Sequence, residues 1–595
     1  ELWKASARDL AEDCSTPIER DIETMSARVE SEGLSFLTIT LPQFANDFEL
    51  SLSAGCVESN LFLGFKRKGS LPAFLSGFCS QVFDVRTGVL FAEPSIRAIK
   101  AVRQICLLFK KVEFACTPER EHKALLKYIE CEADLAKVLE EYDKLPIEEF
   151  KRISTLLFGD VFDVINRKVA AFELRPGHGP GTTADGVIGN QKFVQSEWTD
   201  RLEEYFPFGE YALPHWKYFK THKPAYLAPD QERPVEVIFV PKTLKTPRVI
   251  AREPVCMQYT QQALMSEFVK GIETHKVSKH FTHFTDQTLN QEAARLGSLN
   301  SDTATLDLSE ASDRVLNQLV IDMLNPWSDL SGAVQACRST SAVLPNGDKL
   351  PLVKFASMGS ALCFPMEAMV FTTLVFMGIQ AHTNVRITEK NILQFRDAVH
   401  VYGDDMIVPV ESALSVAGIL ESFGLKVNRT KSFLEGNFRE SCGGDFFLGS
   451  SVKPIRIKKK APVTRRDTDE IANWTSVMNS FNEAGHTRSF NYVRDTIERA
   501  LRQRLNVVPR NSGVIGIEAD PRLCVADRFN PNTHQGEIKA LKIVHTNREV
   551  GVDDIWALQK TLTSNWSDPM FVDHLRYSGR PFSSRIQRTW VPISW

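Results

Sequence analysis

The sequence lacks most marks that identify a protein quickly. Its 11 cysteines include no Cys-x-x-Cys pair. That removes zinc ribbons and thioredoxin-type motifs and points to reduced thiols in a cytosolic setting. There is no internal repeat and no low-complexity tract, which excludes solenoids, propellers and long disordered linkers. No signal-peptide core lies between Glu1 and Cys14. The most apolar stretch, Ala361–Ile379, is interrupted by Pro365 and Glu367 and reads as a buried helix, not a bilayer span. Positive charge is not in excess either: 71 Lys and Arg stand against 74 Asp and Glu, a formal net charge of −3. Any nucleic-acid site must therefore be built by local clustering.

What remains is ordinary globular material. The chain has 595 residues, 43% hydrophobic and 24% charged, enough for several subdomains or one multi-lobed enzyme. Glu1 is not an initiator methionine. Apolar residues recur at helical spacing up to about Lys168, as in Ala124, Leu125, Tyr128, Ile129 and Leu135, Val138, Leu139. A glycine-rich break follows from Arg175 to Thr183, then an aromatic, Pro-bearing segment from Trp198 to Pro234. From Val235 to about Ile457 short strand patterns alternate with helices, and the remainder mixes helices with Pro- and Arg-containing loops. The pattern predicts an α+β chain with its chemistry in the middle.

Two local signals read as bland. The Gly177–Gly181 loop lacks the Lys that a phosphate-binding P-loop requires and reads as a backbone turn. His275, His280 and His283 have no Cys or carboxylate at zinc-finger spacing and read as polar surface or RNA contact.

The informative signal is carboxylate placement. Val399-His-Val-Tyr-Gly-Asp-Asp-Met-Ile-Val-Pro409 sets β-formers on both sides of a Gly-Asp pair. It reads as a hairpin with Gly403 and Asp404 at the turn and Asp405 opening the second strand. Adjacent carboxylates repel unless a cation lies between them; the competing reading is a solvated turn. Thr303–Ser309 reads as a strand ending near Asp307, followed by a helix with Val315, Leu316, Leu319, Val320 and Met323 on one face and Asp313 at the junction. Asp307, facing Asp404 and Asp405 across a sheet, completes a set able to hold two Mg²⁺ for in-line nucleotidyl transfer.

Three further segments supply parts. Phe355–Ser360 places Ser357 and Gly359 before an apolar helix, suited to close approach by a sugar or backbone or, alternatively, to simple N-capping by Ser357 or Ser360. Lys242, Lys245, Arg248 and Arg252 fall on an alternating basic segment, fit either for a triphosphate or for solvent. Lys431, in Asn428–Lys431, is a candidate proton donor.

In this order the segments resemble motifs F, A, B, C and D of RNA-dependent RNA polymerases. Their wording is similar to the replicase β subunits of leviviruses, the single-stranded RNA phages of the Qβ type. The resemblance is carried by Val240-Pro-Lys242, Asp286-Gln-Thr-Leu-Asn-Gln291, Asp307-Leu-Ser-Glu-Ala-Ser-Asp313, Ser357-Met-Gly359, Tyr402-Gly-Asp-Asp405 and Glu435-Gly-Asn-Phe-Arg-Glu-Ser-Cys-Gly443. It runs from about Phe239 to Ile457. It implies a right hand of fingers, an antiparallel palm with helices, and a thumb. The divisions would be 1–234, an N-terminal helical region with part of the fingers; 235–300, fingers with the basic ribbon; 301–450, the palm; and 451–595, the thumb and C-terminal region. By resemblance Asp307, Asp404, Asp405 and the Leu308 carbonyl would ligate Mg²⁺, with Mn²⁺ able to substitute. Lys242, Lys245, Arg248 and Arg252 would hold triphosphate, Asp313, Ser357 and Gly359 would meet the ribose, and Lys431 would protonate pyrophosphate. Glu440–Gly443 would seat the nascent strand. The resemblance also implies primer-independent copying of a single-stranded RNA genome from NTPs in the bacterial cytoplasm, with no membrane. Its implied partners are elongation factors Tu and Ts and a small-subunit ribosomal protein.

Downstream, Lys453, Arg456, Lys458, Lys459, Lys460, Arg465 and Arg466 form a basic run suited to template–product backbone, the alternative being a solvated loop. The tail interleaves Arg580, Phe582, Arg585, Arg588, Trp590 and Trp595, suited to stacking on bases or to docking on a protein. A reverse transcriptase shares Tyr-x-Asp-Asp, but Gly403 and polar Asp313 speak against it. A catalytically dead RNA-binding scaffold would have no use for three carboxylates that cost stability.

Overall fold

A computed structural model describes residues 1–564 and 573–593. The N-terminal third is helical, including Leu41–Ala54, Ile96–Leu107, Pro118–Glu140 and Ile147–Ala170. The first two of these pack in an apolar core with Trp3, Phe44, Phe48 and Phe83, which also takes in Phe433, Phe438 and Phe447 from far along the chain. The largest core gathers the Ile147–Ala170 helix, the helix Val255–Thr274 and the helix Cys363–Thr383. Cys363–Thr383 is long and apolar enough to cross a membrane, but nearly all of it is buried against protein. All 11 cysteines are free.

Two small sheets position the candidate site. Val235–Val240 and Arg248–Arg252 form an antiparallel ribbon with Val240 opposite Arg248 and Glu236 opposite Arg252. His400–Tyr402, Asp405–Pro409 and Thr303–Leu306 form a three-stranded antiparallel sheet in that order. Its middle strand carries Met406, Ile407 and Val408, all fully buried; each such side chain contributes about 1.5–3 kcal/mol of apolar burial. Successive residues point to opposite faces, so both faces of this strand are buried: Met406 and Val408 join the largest core, and Ile407 packs with Ala293 and Ala294 on the other side.

The structure corrects the sequence reading at two places in the fold. The helix after Asp307 spans only Asn317–Leu324; Ala311–Asp313 is a single 3₁₀ turn, and Val315 and Leu316 are buried ahead of the helix. The C-terminal region, expected to be helices and loops, carries a long antiparallel pair of strands, Gln535–Glu549 with Tyr577–Pro592. Its strands are rich in Arg, Ser, Thr and Lys because much of the pair is solvated, which hides the alternation that would mark a strand.

Candidate active site

The sheet register puts the catalytic candidates at one end of the sheet. Leu306 lies opposite Met406, so the next step along the ladder sets Asp307 and Asp405 at the same sheet end. Gly403 turns the hairpin with φ 59°. A Cβ there would lie 2.6 Å from the Phe364 ring, so glycine is required both for the turn and for the packing beneath it. Asp404 is exposed at the turn, with the protein crowding its carboxylate on the other side. The loss of hydration there, and then Asp307, push its pKa up. Asp405 is pushed up to about 7, by burial first and then by Asp404. Lys431 Nζ stands 3.0 Å from Asp307 Oδ2. Burial opposes the ammonium, but Asp307, Glu440 and Asp404 hold its pKa above the usual lysine value. Asn428 donates to Asp307 Oδ2 at 2.9 Å and from its backbone N–H to the Asp307 carbonyl at 2.8 Å. Leu308 is buried in a short strand paired with Val427.

Among the described residues no group of three or more His, Cys, Asp or Glu side chains stands at metal-holding distance. In this structure Lys431 takes up Asp307, and the three Asp do not converge as a finished ligand set. Their chemistry nonetheless suits a hard divalent cation: all the donors are oxygen, and Asp404 and Asp405 are both pushed up despite the pull of Lys431 and Lys242 on Asp404.

The ribbon forms one wall of an adjoining pocket of about 530 Å³ lined by Lys242, Lys245, Arg248 and Asp313. Lys242 is pushed down, by partial removal from water first and then by Arg248 and Lys431, while Asp404 and Asp307 pull it up. Arg252 is not in this set: it is ion-paired across the ribbon with Glu236. The opposite wall was not foreseen. Arg120, Lys123, Lys127 and Tyr128 line it from the N-terminal helix Pro118–Glu140, and Arg120 donates to the Leu244 carbonyl at 2.6 Å, pinning the helix to the ribbon loop.

Ser357 and Gly359 do not cap a helix. The apolar helix begins at Cys363, and it is Ser360 Oγ that accepts from the Leu362 N–H. Ser357 is buried and shares a 2.8 Å hydrogen bond with the Tyr128 hydroxyl. Gly359, at φ 135°, packs so closely that a Cβ would lie 1.9 Å from the Ala251 carbonyl oxygen. Its close approach is to the ribbon backbone, joined there by the Ala251 N–H to Met358 carbonyl bond. Asp313 is ion-paired with Lys354 at 3.0 Å.

The segment Phe438–Ser441 pairs with Gly444–Phe447, with Cys442 and Gly443 in the turn. The helix Thr288–Asn300 braces this turn against the Asp hairpin: Asn290 donates to the Asp405 carbonyl at 3.3 Å and Gln291 to the Cys442 carbonyl at 3.0 Å. In the sequence Asp286–Gln291 is family wording alone, because the partners of Asn290 and Gln291 lie 115 and 151 residues away.

The basic run splits. Lys453, Lys458 and Lys460 are exposed, as are Arg465 and Arg466. Lys459 pairs with Glu113 at 2.6 Å. Arg456 is drawn inward to Asp445 at 3.3 Å and is not a surface cation. In the tail, Trp590 already lies under Arg528 at 4.0 Å, whereas Phe582 is exposed; Trp595 and the Arg580 side chain fall outside the described residues. The three histidines do not form one site: His275 pairs with Asp160 and His283 stacks on His400. Two carbonyls of the Gly177–Gly181 loop accept from Lys192, which suits a structural turn.

Residues 230–515 match the family model described as RNA replicase, beta-chain. The chain is 35% identical over 230 residues to the RNA-directed RNA polymerase beta chain of Enterobacteria phage fr, covering 38% of each. It is 33% identical over 223 residues to the RNA-directed RNA polymerase beta chain of Escherichia phage MS2, covering 38% of this chain and 37% of that one. It is 29% identical over 283 residues to the RNA-directed RNA polymerase subunit beta of Escherichia virus Qbeta, covering 47% of this chain and 44% of that one. The chain therefore aligns over less than half the length of these relatives. A solved RNA-dependent RNA polymerase of BmCPV at elongation state aligns with a TM-score of 0.37 and 10% identity over 59% of this chain and 33% of that one, too low a score to show a shared fold. The ribbon, the three carboxylates and Lys431 all lie within the span, residues 230–515, that is similar to the RNA replicase beta-chain family.

Proposed function

We propose that the chain is an RNA-directed RNA polymerase that copies a viral single-stranded RNA genome by nucleotidyl transfer from NTPs, starting without a primer. The observation that carries this reading is the register that brings Asp307 to the end of the sheet where Asp404 and Asp405 turn, next to a cation-lined pocket. Asp307, Asp404, Asp405 and the Leu308 carbonyl would hold the ions, Mg²⁺ with Mn²⁺ able to substitute. A divalent cation bound there would lower the pKa of an attacking hydroxyl and offset charge on the leaving phosphates. Lys242, Lys245 and Arg248 hold the triphosphate through charge-assisted hydrogen bonds. Lys431, kept charged beside Asp307, is placed to give a proton to the departing pyrophosphate.

In this reading the Asp sheet is the palm, the ribbon belongs to the fingers, and residues 451–595 form the thumb and C-terminal region. The exposed Lys453, Lys458 and Lys460 face template–product backbone. The site of action is the cytoplasm of a bacterial host. The expectation of elongation factors Tu and Ts and a ribosomal protein as partners rests on the resemblance alone.

The test is divalent-dependent incorporation of labelled ribonucleotide on an RNA template by purified chain, with and without host lysate. No incorporation under either condition sinks the reading. Within it, Arg248→Ala raises the KM for nucleotide by roughly 10-fold or more, since one charge-assisted contact is worth about 1.5–3 kcal/mol, while RNA affinity stays near wild type. Loss of RNA binding with unchanged nucleotide kinetics would reassign the ribbon to the RNA channel.

A further inference from the structure

A buried charge cluster lies behind the pocket and joins it to the N-terminal helix Pro118–Glu140. Lys354 stands in an otherwise apolar stretch, Leu352-Val-Lys-Phe-Ala356, and its side chain is 0% exposed. Its Nζ is 3.0 Å from Asp313 Oδ1, 3.2 Å from Glu132 Oε1 and 3.4 Å from the centre of the Tyr128 ring. Glu132 is also fixed from behind, accepting the Val353 N–H at 2.6 Å. Tyr128 completes the chain of contacts through its hydroxyl, 2.8 Å from Ser357 Oγ.

The geometry of this cluster is directional. Glu132 is 6% exposed and Lys354 is wholly buried, whereas Asp313 is 13% exposed and lines the pocket beside Arg248 and Lys242. One Asp313 oxygen is committed to Lys354; the other has no hydrogen bond among the described residues. A carboxylate held in one rotamer with one free oxygen facing a cation-lined pocket is an acceptor for a hydroxyl of whatever anion the pocket binds. Burial opposes the charge on Lys354, but Asp313, Tyr128 and Glu132 together keep its pKa above the usual lysine value.

We propose that Tyr128 and Lys354 are positioning residues for ribose selection: Lys354 aims Asp313 into the pocket, Tyr128 holds the Ser357 hydroxyl, and rejection of 2′-deoxynucleotides depends on a helix outside the Asp sheet. This deepens, and rests on, the polymerase reading. A ribose 2′-hydroxyl satisfies the free Asp313 oxygen; a deoxyribose leaves that buried-edge acceptor unpaired, and an unpaired polar group is what makes such sites selective. A purely structural pin between the helix and the 352–357 segment would use the same contacts but would not distinguish the two sugars.

The experiment compares kcat/KM for a ribonucleotide and its 2′-deoxy form on an RNA template, using full chain. Tyr128→Phe keeps the ring over Lys354 and removes only the hydroxyl. The ribo-to-deoxy ratio is expected to fall about three- to tenfold, the worth of one neutral hydrogen bond, through loss on the ribonucleotide side, with the melting temperature near wild type. Glu132→Gln touches the same lysine away from the pocket and is expected to lower melting temperature with little change in the ratio. A wild-type ratio in Tyr128→Phe overturns the proposal while leaving the polymerase reading intact. So does a ratio that falls in both variants in step with melting temperature. Absence of any incorporation by the wild-type chain overturns both together.

Discussion

Asp404→Asn is expected to lower nucleotide incorporation by about 10³-fold or more, because ion-mediated charge stabilisation is worth several kcal/mol, while leaving the fold unharmed or slightly firmer. The two effects have one cause. Asp404 sits at a turn fixed by Gly403, in a cleft where loss of hydration and Asp307 both disfavour its charge. Its neighbour Asp405 is pushed up to about 7, by burial and then by Asp404 itself. An isosteric amide removes one member of this repelling set, so the folded state gains and the ion site loses. The readouts are ribonucleotide incorporation on an RNA template at saturating Mg²⁺ and the midpoint of thermal unfolding. A solvated turn with no catalytic part would leave both unchanged. Near-normal incorporation by a folded Asp404→Asn chain would end the assignment of this hairpin. A loss of incorporation accompanied by a large fall in melting temperature would mean that the turn is structural.

The Asp hairpin was legible in the sequence because its signals are local. β-formers bracket Gly403 and Asp404, only glycine fits the left-handed turn against Phe364, and Asp307 ends a run of strand-formers. The ribbon was legible for the same reason. What the sequence hid was pairing between distant charges. Arg252 looked like Arg248 on the same strand face, yet the ribbon register sets Glu236 opposite it and takes its charge. Arg456 looked like its neighbouring lysines, yet Asp445 draws it inside. The Ser357 hydroxyl could be read as a sugar contact or a helix cap, and neither reading shows its partner, Tyr128, 229 residues away. A lysine among apolar residues, as at Lys354, was the one readable sign of the buried clamp, since an ammonium survives burial only with partners. The N-terminal helices were visible as helices, but nothing periodic says that one of them lines the pocket beside the ribbon.

The N-terminal helices also hold the turn that would seat the nascent strand, and Arg103→Met is expected to cost the chain about 3–5 kcal/mol, the usual penalty for removing one partner from a buried ion cluster. Arg103 lies on the helix Ile96–Leu107 and its side chain is 1% exposed. It pairs with Glu49 at 2.8 Å and with Asp445 at 3.0 Å, donates to the Val452 carbonyl at 2.7 Å, and lies over the Phe438 ring at 5.0 Å. Glu49 belongs to the helix Leu41–Ala54; Asp445 and Phe438 belong to the hairpin that carries Cys442 and Gly443. Methionine fills the space but leaves Glu49 and Asp445 facing each other, with Arg456 and the more distant Lys110 as the remaining cations. Burial pushes Glu440 up as well, with Asp445 and Glu49 adding to it while Lys110 and Arg103 pull it down, so losing Arg103 makes charge on this strand still more costly. The pH dependence follows from Asp445. Burial opposes its charge, but Arg103 and Arg456 hold its pKa below the ordinary carboxylate value. A group depressed in this way stabilises the fold above its unfolded pKa and loses that contribution as pH falls through the folded value. The gap between wild type and Arg103→Met should therefore narrow on acidification, as protonation removes the charge that Arg103 neutralised. Adding Asp445→Asn to Arg103→Met should recover part of the loss at neutral pH, and hydrogen exchange should speed up at Phe438–Phe447 before it does in the Asp405–Pro409 strand. Equal stability of wild type and Arg103→Met at neutral pH would mean that the cluster is dispensable and that apolar packing around Phe433 and Phe438 alone docks the hairpin.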